Sequence, residues 1–296
     1  MKKILLLINP NSRSGEQADQ EVRALLSKEG FELIPLDNHE SRKDPNELIL
    51  KYRDQCDVVI VGGGDGSVNL ALPGLVKTQK PLIVLPLGTA NNLARNYNIP
   101  KGTDSILELL KNGREVSVDL GSVNDILFIN VAGLGLSTEV NLRVSKWLKK
   151  HLGVFAFVIT AFQLATKMNP FRATISCDGQ PAIVSRSWQI SVCNGRHYGN
   201  GLVIKDDANL HDNKLHCLST EVKKWWQSLS YIPSLMSGKY KNDQQLLLLD
   251  GTEILIKTRR TFQIDVDGDI KTTTPATFKV LPDKLRMIVP LETPPT

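Results

Sequence analysis

Cysteine is scarce and scattered: Cys56, Cys177, Cys193 and Cys217 are the four in 296 residues, with no C-x-x-C pair among them. That spacing excludes a disulfide framework and a cysteine zinc site, and predicts reduced thiols in a cytoplasmic protein. Long apolar runs are missing too. A bilayer span needs ~18 residues, whereas the longest candidate, LGVFAFVITAFQLA at 152–165, stops at fourteen and contains Gln163. The opening MKKILLLINPNSRSG falls short of a signal peptide, because its apolar run covers only residues 4–8 and ends in Asn-Pro. It reads as a buried strand. A surplus of one charge sign is likewise absent: 36 Lys plus Arg against 31 Asp plus Glu leave a net +5. This is too little to imply nucleic acid, yet it suits anionic small molecules or lipid headgroups as well as plain solubility.

What is present is an ordinary globular composition, 41% hydrophobic and 23% charged, in a chain long enough for two domains. The first 120 residues alternate short apolar runs (ILLLI at 4–8, FELIPL at 31–36, DVVIV at 57–61, LIVLPL at 82–87) with helical patterns near 16–28 and 45–54, from Ser67 and from Ala90. Continuous apolar strands separated by helices predict a parallel sheet covered on both faces, with ligands held at the strand C-termini. From about Asn124 the pattern changes to period-two runs such as ILFINVAG, RATISCDGQ, SWQISVCN, TEILIKT, TFQIDVDGD and TFKVL, which predict an antiparallel sandwich. Helical insertions are expected at roughly 137–168 and 222–237, and LETPPT reads as a frayed tail.

The strand ending at Val61 runs into Gly62, Gly63, Gly64, Asp65, Gly66 and Ser67 before a helix. Glycines there let a ligand approach the backbone, and a helix N-terminus offers free N–H groups and a positive dipole end, which suits phosphate. A tight strand-to-helix turn is the plainer explanation. The loop has no lysine, so it is not a P-loop, and its glycines do not follow the dinucleotide G-x-G-x-x-G spacing. Two more polar loops, NPNSRSG at 9–15 and PLGTANNLAR at 86–95, follow other strands on what should be the same sheet edge. Each alone could be a helix cap; together they predict one polar crevice.

Asn9, Pro10 and Asn11 with Ser12 to Gly15, then Gly63, Gly64, Asp65, Gly66, Ser67 and Asn69, then Gly88, Thr89 and Asn91, resemble the successive nucleotide motifs of the diacylglycerol kinase catalytic domain, a family that includes bacterial lipid kinases and sphingosine kinases. NVAGLGLSTEV, YGNGLVIKDDANLHDNKL and DVDGDI extend the resemblance over roughly residues 3–290. It implies an α/β N-terminal domain, with a parallel sheet like those of 6-phosphofructokinases and NAD kinases, over 1–123 and completed by about 285–296. A C-terminal antiparallel β-sandwich would occupy 124–284. The implied reaction transfers the γ-phosphoryl group of ATP to a lipid hydroxyl, that of diacylglycerol or a related lipid.

On that resemblance Asp65 is expected to organise Mg²⁺ beside the phosphates, since a carboxylate in an anion-binding loop needs a cation between them; capping the following helix is its other reading. The family's proton acceptor is the Glu of an Asp-Gly-Glu, and the matching residue is Asp269, one methylene and about 1.5 Å shorter in reach. Asp267 is the alternative base. The bland reading is a hairpin turn at Asp267-Gly268 joining strands 262–266 and 276–280. A second metal position, of one carboxylate and main-chain carbonyls, maps to Asn209, Asp212 and Lys214, with Asn213 in the customary glycine place. Asn92 stands for an Asp and Ser67 for a Thr, and the threonine expected after the second strand has no match near residues 38–41.

Arg143, Lys146, Lys149, Lys150, Lys167 and Arg172, around Trp147, lie in an interval without acidic residues, and KKWWQSLSYIPSLMSGKYK at 223–241 repeats that chemistry. Cationic and aromatic groups together suit an anionic membrane surface, and a core helix with a solvated basic face explains them equally. The partners to expect are ATP, Mg²⁺ and a lipid met peripherally at the inner membrane face, with a homodimer as a candidate and no nucleic acid. A soluble NAD-kinase-like phosphotransferase and a nucleotide- or lipid-binding module without turnover are the competing functions.

Overall fold

The computed structural model describes residues 2–12, 14–36, 44–144, 160, 162–164, 166–199, 201–221, 227, 232–238 and 245–291. The chain opens as β1 (Lys3–Ile8), α1 (Gly15–Lys28), β2 (Glu32–Leu33), α2 (Pro45–Lys51), β3 (Val58–Gly63), α3 (Asp65–Thr78), β4 (Leu82–Pro86), α4 (Asn92–Asn96) and α5 (Asp104–Asn112). The strands lie in the order β2-β1-β3-β4, all parallel, with Ile4 opposite Val58 and Val59 opposite Leu82. Every residue of β3 is buried, as expected of a β-branched run covered on both faces. Local chemistry sets the helix starts: Asp44 accepts the amide of Asn46 at 2.9 Å and Pro45 opens α2.

The chain continues through β5 (Arg114–Val123), β6 (Ile126–Phe128), β7 (Val131–Gly135), α6 (Leu136–Arg143), β8 (Phe171–Cys177), β9 (Ile183–Ser187), β10 (Gln189–Cys193), β11 (His197–Tyr198), β12 (Leu202–Val203) and β13 (Leu215–Thr220). After a short helix, α7 (Ile232–Ser237), come β14 (Leu246–Gly251), β15 (Glu253–Thr258), β16 (Gln263–Val266), β17 (Asp269–Thr273) and β18 (Ala276–Val289). One sandwich layer is the antiparallel sheet β14-β13-β10-β7-β16-β17 and the other is β18-β15-β8-β9. Between them Ile190, Val192, Ile254, Ile256, Ile264 and Phe278, all 0% exposed, form a core of its own. Burial of apolar area at ~25 cal/mol per Å² holds the layers together.

β18 joins the two layer systems. Its first residues, Ala276 to Lys279, pair with β15, β5 runs along its other edge from Phe278 to Val289, and it meets β4 in parallel at Met287 opposite Leu82.

The expected hairpin partner was displaced. β16 pairs with β17 at 269–273, and 276–280 instead pairs with β15 and β5. The polar, half-exposed DIKTT has no apolar face to announce a strand, and its pairing is set by the neighbouring sheet. The sequence patterns do not announce α5, β5, β9, β13 or β14, β2 keeps two of the six residues of FELIPL, and α2 ends at Lys51 instead of residue 54. Of the first helical insertion, α6 and a helical piece at 160 and 162–164 are described; of the second, mainly α7. Lys146, Trp147, Lys149 and Lys150 lie outside the described residues. No helix among the described residues is long and apolar enough to cross a membrane.

Candidate active site

The glycine loop lies where β3 hands over to α3, and its glycines answer to three different demands. A Cβ on Gly63 would run into the Ser67 side chain, and one on Gly88 would lie 2.5 Å from the Gly64 Cα and 2.7 Å from Asn91 Oδ1. The loops after β3 and β4 therefore touch backbone to backbone. Gly66 differs, because a Cβ there would meet no atom within 4 Å, so the space it leaves faces the cleft. The first amides of α3, those of Asp65 and Gly66, have no intrahelical acceptor and open a positive helix end at the same point.

Side-chain amides tie the three loops into one wall. Asn9 Nδ2 donates to Ser67 Oγ at 3.2 Å, while Asn9 Oδ1 accepts the Asn11 amide at 2.9 Å. Asn91, at φ 49°, accepts the Gly88 amide at 3.0 Å and donates to the Gly88 carbonyl at 2.7 Å. The resulting cleft of about 430 Å³ is lined by Asn9, Ser12, Gly64, Gly66, Ser67, Gly88 and Thr89, faced from the sandwich by Asp269. Pro10 and Asn11 line a hollow of about 1000 Å³ next to it along α1. Close-approach glycines, unpartnered helix amides and neutral donors fit a polyphosphate.

The three candidate carboxylates have separate fates. Asp65 crosses to the N-terminus of α4, where Oδ2 accepts the Asn92 amide at 3.0 Å and Oδ1 accepts the Leu93 amide at 3.1 Å and Asn130 Nδ2 at 3.2 Å. It caps a helix, but not its own. A carboxylate offers about four acceptor sites, so one lone pair of Oδ2 remains, which fits a Mg²⁺ that keeps its waters. Asp267, at φ 51°, is filled: Oδ1 takes the amides of Asn130 at 3.0 Å and Val131 at 2.9 Å, and Oδ2 takes that of Ile129 and Asn69 Nδ2, both at 2.7 Å. Burial pushes its carboxyl up to about 6, with these four N–H groups pulling the other way. Asp269 alone of the three is exposed and on the cleft.

Residues 3–123 match the family described as the diacylglycerol kinase catalytic domain, and residues 130–289, more than half of the chain, match the YegS C-terminal NAD kinase beta sandwich-like domain. The chain belongs to the diacylglycerol kinase family. Within it, an uncharacterized protein of Synechocystis sp. is 30% identical over 240 residues, which are 79% of this chain and 55% of that protein. A Klebsiella pneumoniae protein named probable lipid kinase YegS-like is 28% identical over 98% of this chain and 97% of its own length. A Bacillus subtilis protein named diacylglycerol kinase is 26% identical over 80% and 79%. A crystal structure of a diacylglycerol kinase from Bacillus anthracis shares the fold, with a TM-score of 0.74 at 19% identity over 99% of this chain and 98% of that one.

At the second metal position, which the resemblance maps to Asn209, Asp212 and Lys214, the one carboxylate already holds its own loop and a histidine. Asp212 Oδ1 accepts the Lys214 amide at 3.0 Å, and Oδ2 accepts the Asn209 amide at 3.2 Å and faces His216 Nε2 at 2.9 Å. The other ring nitrogen of His216 lies 2.8 Å from Asp250 Oδ1, and Lys205 Nζ holds Asp250 Oδ2 at 2.8 Å. Both ring nitrogens meet acceptor-only carboxylates, so both donate and the ring is charged. Burial opposes that charge, yet Asp212 and Asp250 outweigh it and push His216 up to about 9. Lys205 Nζ also lies 3.2 Å from Asp207 Oδ1, so three carboxylates share two cations. Among the described residues no cluster of three or more His, Cys, Asp or Glu side chains is arranged to hold a metal. Asn213 does adopt the left-handed conformation expected of it, at φ 56°.

Sequence reasoning missed Asn130 and Lys271. Asn130 stands inside the NVAG stretch but reads as one more turn residue, and its partners Asp65 and Asp267, 65 and 137 residues away in sequence, meet it only through the fold. Asn92 departs from the family's Asp and yet has work as an acceptor, taking the Gly201 amide at 3.2 Å.

Proposed function

We propose that this chain is a lipid kinase that transfers the γ-phosphoryl group of ATP to the hydroxyl of diacylglycerol or a related lipid. The observation that carries the reading is the cleft in which three glycine- and asparagine-rich loops face one open carboxylate, Asp269, across from Gly66 and Ser67. The backbone N–H groups and Asn9, Ser67 and Thr89 bind and orient the phosphates. Asp269 accepts the proton of the lipid hydroxyl as its oxygen bonds to the γ-phosphorus and the bond to the β-phosphate oxygen breaks, leaving ADP and a phosphorylated lipid. Asp267 has no acceptor site left for that proton. Asp65 would hold Mg²⁺, which would neutralise charge on the transferring group.

We read the nucleotide side as residues 1–123 completed by about 285–296, and the lipid side as 124–284, because β18 carries the chain back beside β4. The acceptor is met peripherally at the inner face of a membrane, where exposed Lys167 and Arg172, in the same stretch of chain as the exposed Phe162, supply charge and apolar surface for anionic headgroups. The test is label transfer from γ-labelled ATP with Mg²⁺ into a panel of detergent-dispersed lipids. Labelled phospholipid from the wild type names the acceptor. ATP-dependent thermal stabilisation with no labelled lipid would instead make this a binding module.

A further inference from the structure

Asn69 uses both ends of its side-chain amide on the same hairpin. Its Nδ2 donates to Asp267 Oδ2 at 2.7 Å, and its Oδ1 accepts from Lys271 Nζ at 2.6 Å. Asn69 lies one turn into α3, buried at 8% exposure, so it is a fixed point on the helix that begins the glycine loop. Asp267 and Lys271 flank Asp269 on either side by two residues, and Asp269 and Lys271 are both exposed in β17, whose register against β16 slips at Lys271, between the pairs Asp265–Ile270 and Ile264–Thr272. The turn is closed from within by Asp265, whose Oδ1 accepts the Gly268 amide at 2.7 Å. The Asp267 end is anchored four times over. At the other end Lys271 reaches back to α3 from an exposed strand face.

We propose that Lys271 is a positioning residue for the phosphoryl transfer: by gripping Asn69 it holds β17 against α3, so that the short carboxylate of Asp269 stays within reach of an acceptor hydroxyl in the cleft. This rests on the lipid-kinase reading above. A side chain of Glu length could make up for a loose strand by its own reach; an Asp cannot, and a displacement of about 1 Å at a base can cost about 100-fold in rate. Lys271 contributes little to folding, because a hydrogen bond from an exposed lysine competes with water.

The experiment compares wild type, Lys271→Met, Lys271→Arg and the double variant Lys271→Met with Asp269→Glu, in lipid phosphorylation and in hydrogen exchange of the 266–271 amides. The expected result for Lys271→Met is kcat lower by about 10- to 100-fold, KM for ATP within about twofold and an unchanged melting temperature. Lys271→Arg should keep most of the rate, and the longer carboxylate of the double variant should recover part of what Lys271→Met loses. Exchange at Gly268 and Ile270 should quicken about tenfold in Lys271→Met. Wild-type kcat in Lys271→Met overturns the proposal, and so does a loss confined to KM for ATP, which would make Lys271 a phosphate contact. An inactive wild type would defeat the kinase reading separately; the exchange rates still decide the inference, since unchanged exchange in Lys271→Met means the strand is not held by Lys271.

Discussion

The interdomain cleft and the loop around Asp212 both gather carboxylates, and they neutralise them by opposite means. In the cleft, Asp65 and Asp267 are satisfied by N–H groups of backbone and asparagine, which carry no net charge, so the site stays anionic and one carboxylate, Asp269, remains open. Around Asp212 the neutralising groups are the side-chain cations of His216 and Lys205, shared among Asp212, Asp250 and Asp207. A carboxylate satisfied by dipoles keeps its full negative charge for a metal or a proton, whereas a paired cation offsets that charge. We read the first as the reacting site and the second as a strut between β13 and β14.

The contrast breaks most sharply at Asp269 and Asp267. Asp269→Asn should lower lipid phosphorylation by about 10²- to 10⁴-fold with the melting temperature unchanged, whereas Asp267→Ala strands four buried donors and should cost about 3 kcal/mol or more of stability. Circular-dichroism melts beside label-transfer rates distinguish them, and a stable, inactive Asp267→Ala would exchange their roles.

His216 tests the other side. Its pKa is raised from 6.5 unfolded to about 9 folded, so its contribution is fully present below pH 6.5 and disappears as pH rises through about 9. The raised value corresponds to roughly 3 kcal/mol. Melting temperature should therefore decline between about pH 7 and pH 9.5 in the wild type and be nearly flat over that range in His216→Gln, and Mg²⁺ without nucleotide should not stabilise the wild type.

The smallest effect is expected at Asp65. Because it caps α4, Asp65→Ala should cost about 1–2 kcal/mol, read as a drop of a few degrees in the melting temperature, in addition to any loss of turnover. A variant with an unshifted melt would mean that the cap contributes nothing and that the residue serves the cation alone.

The parallel strands and their glycine loops were legible from residue order, because β-branched runs buried on both faces and glycines at strand ends are local facts that tolerate few alternatives. The thirteen residues expected to bind nucleotide lie on the loops at that edge and the strand and helix ends beside them, except Asn69, which lies deeper in α3 and bonds Asp267 and Lys271. The β16–β17 pairing was not legible, since DIKTT has neither an apolar face nor a turn that excludes other partners. The cation on Asp212 was equally hidden: His216 is four residues from Asp212 in sequence, but Asp250 and Lys205 reach it only through the β13–β14 pairing and the loop before it.

The sequence by itself determined the two architectures, the glycine edge and the presence of three acidic residues at two of its motifs, because periodicity and backbone freedom are properties of short segments. Only the tertiary structure decided which carboxylate is capped, which is saturated and which is left open. A carboxylate's role depends on how many donors surround it, and those donors come from α4, from the turn at 129–131 and from α3, segments that the chain brings together only when it folds.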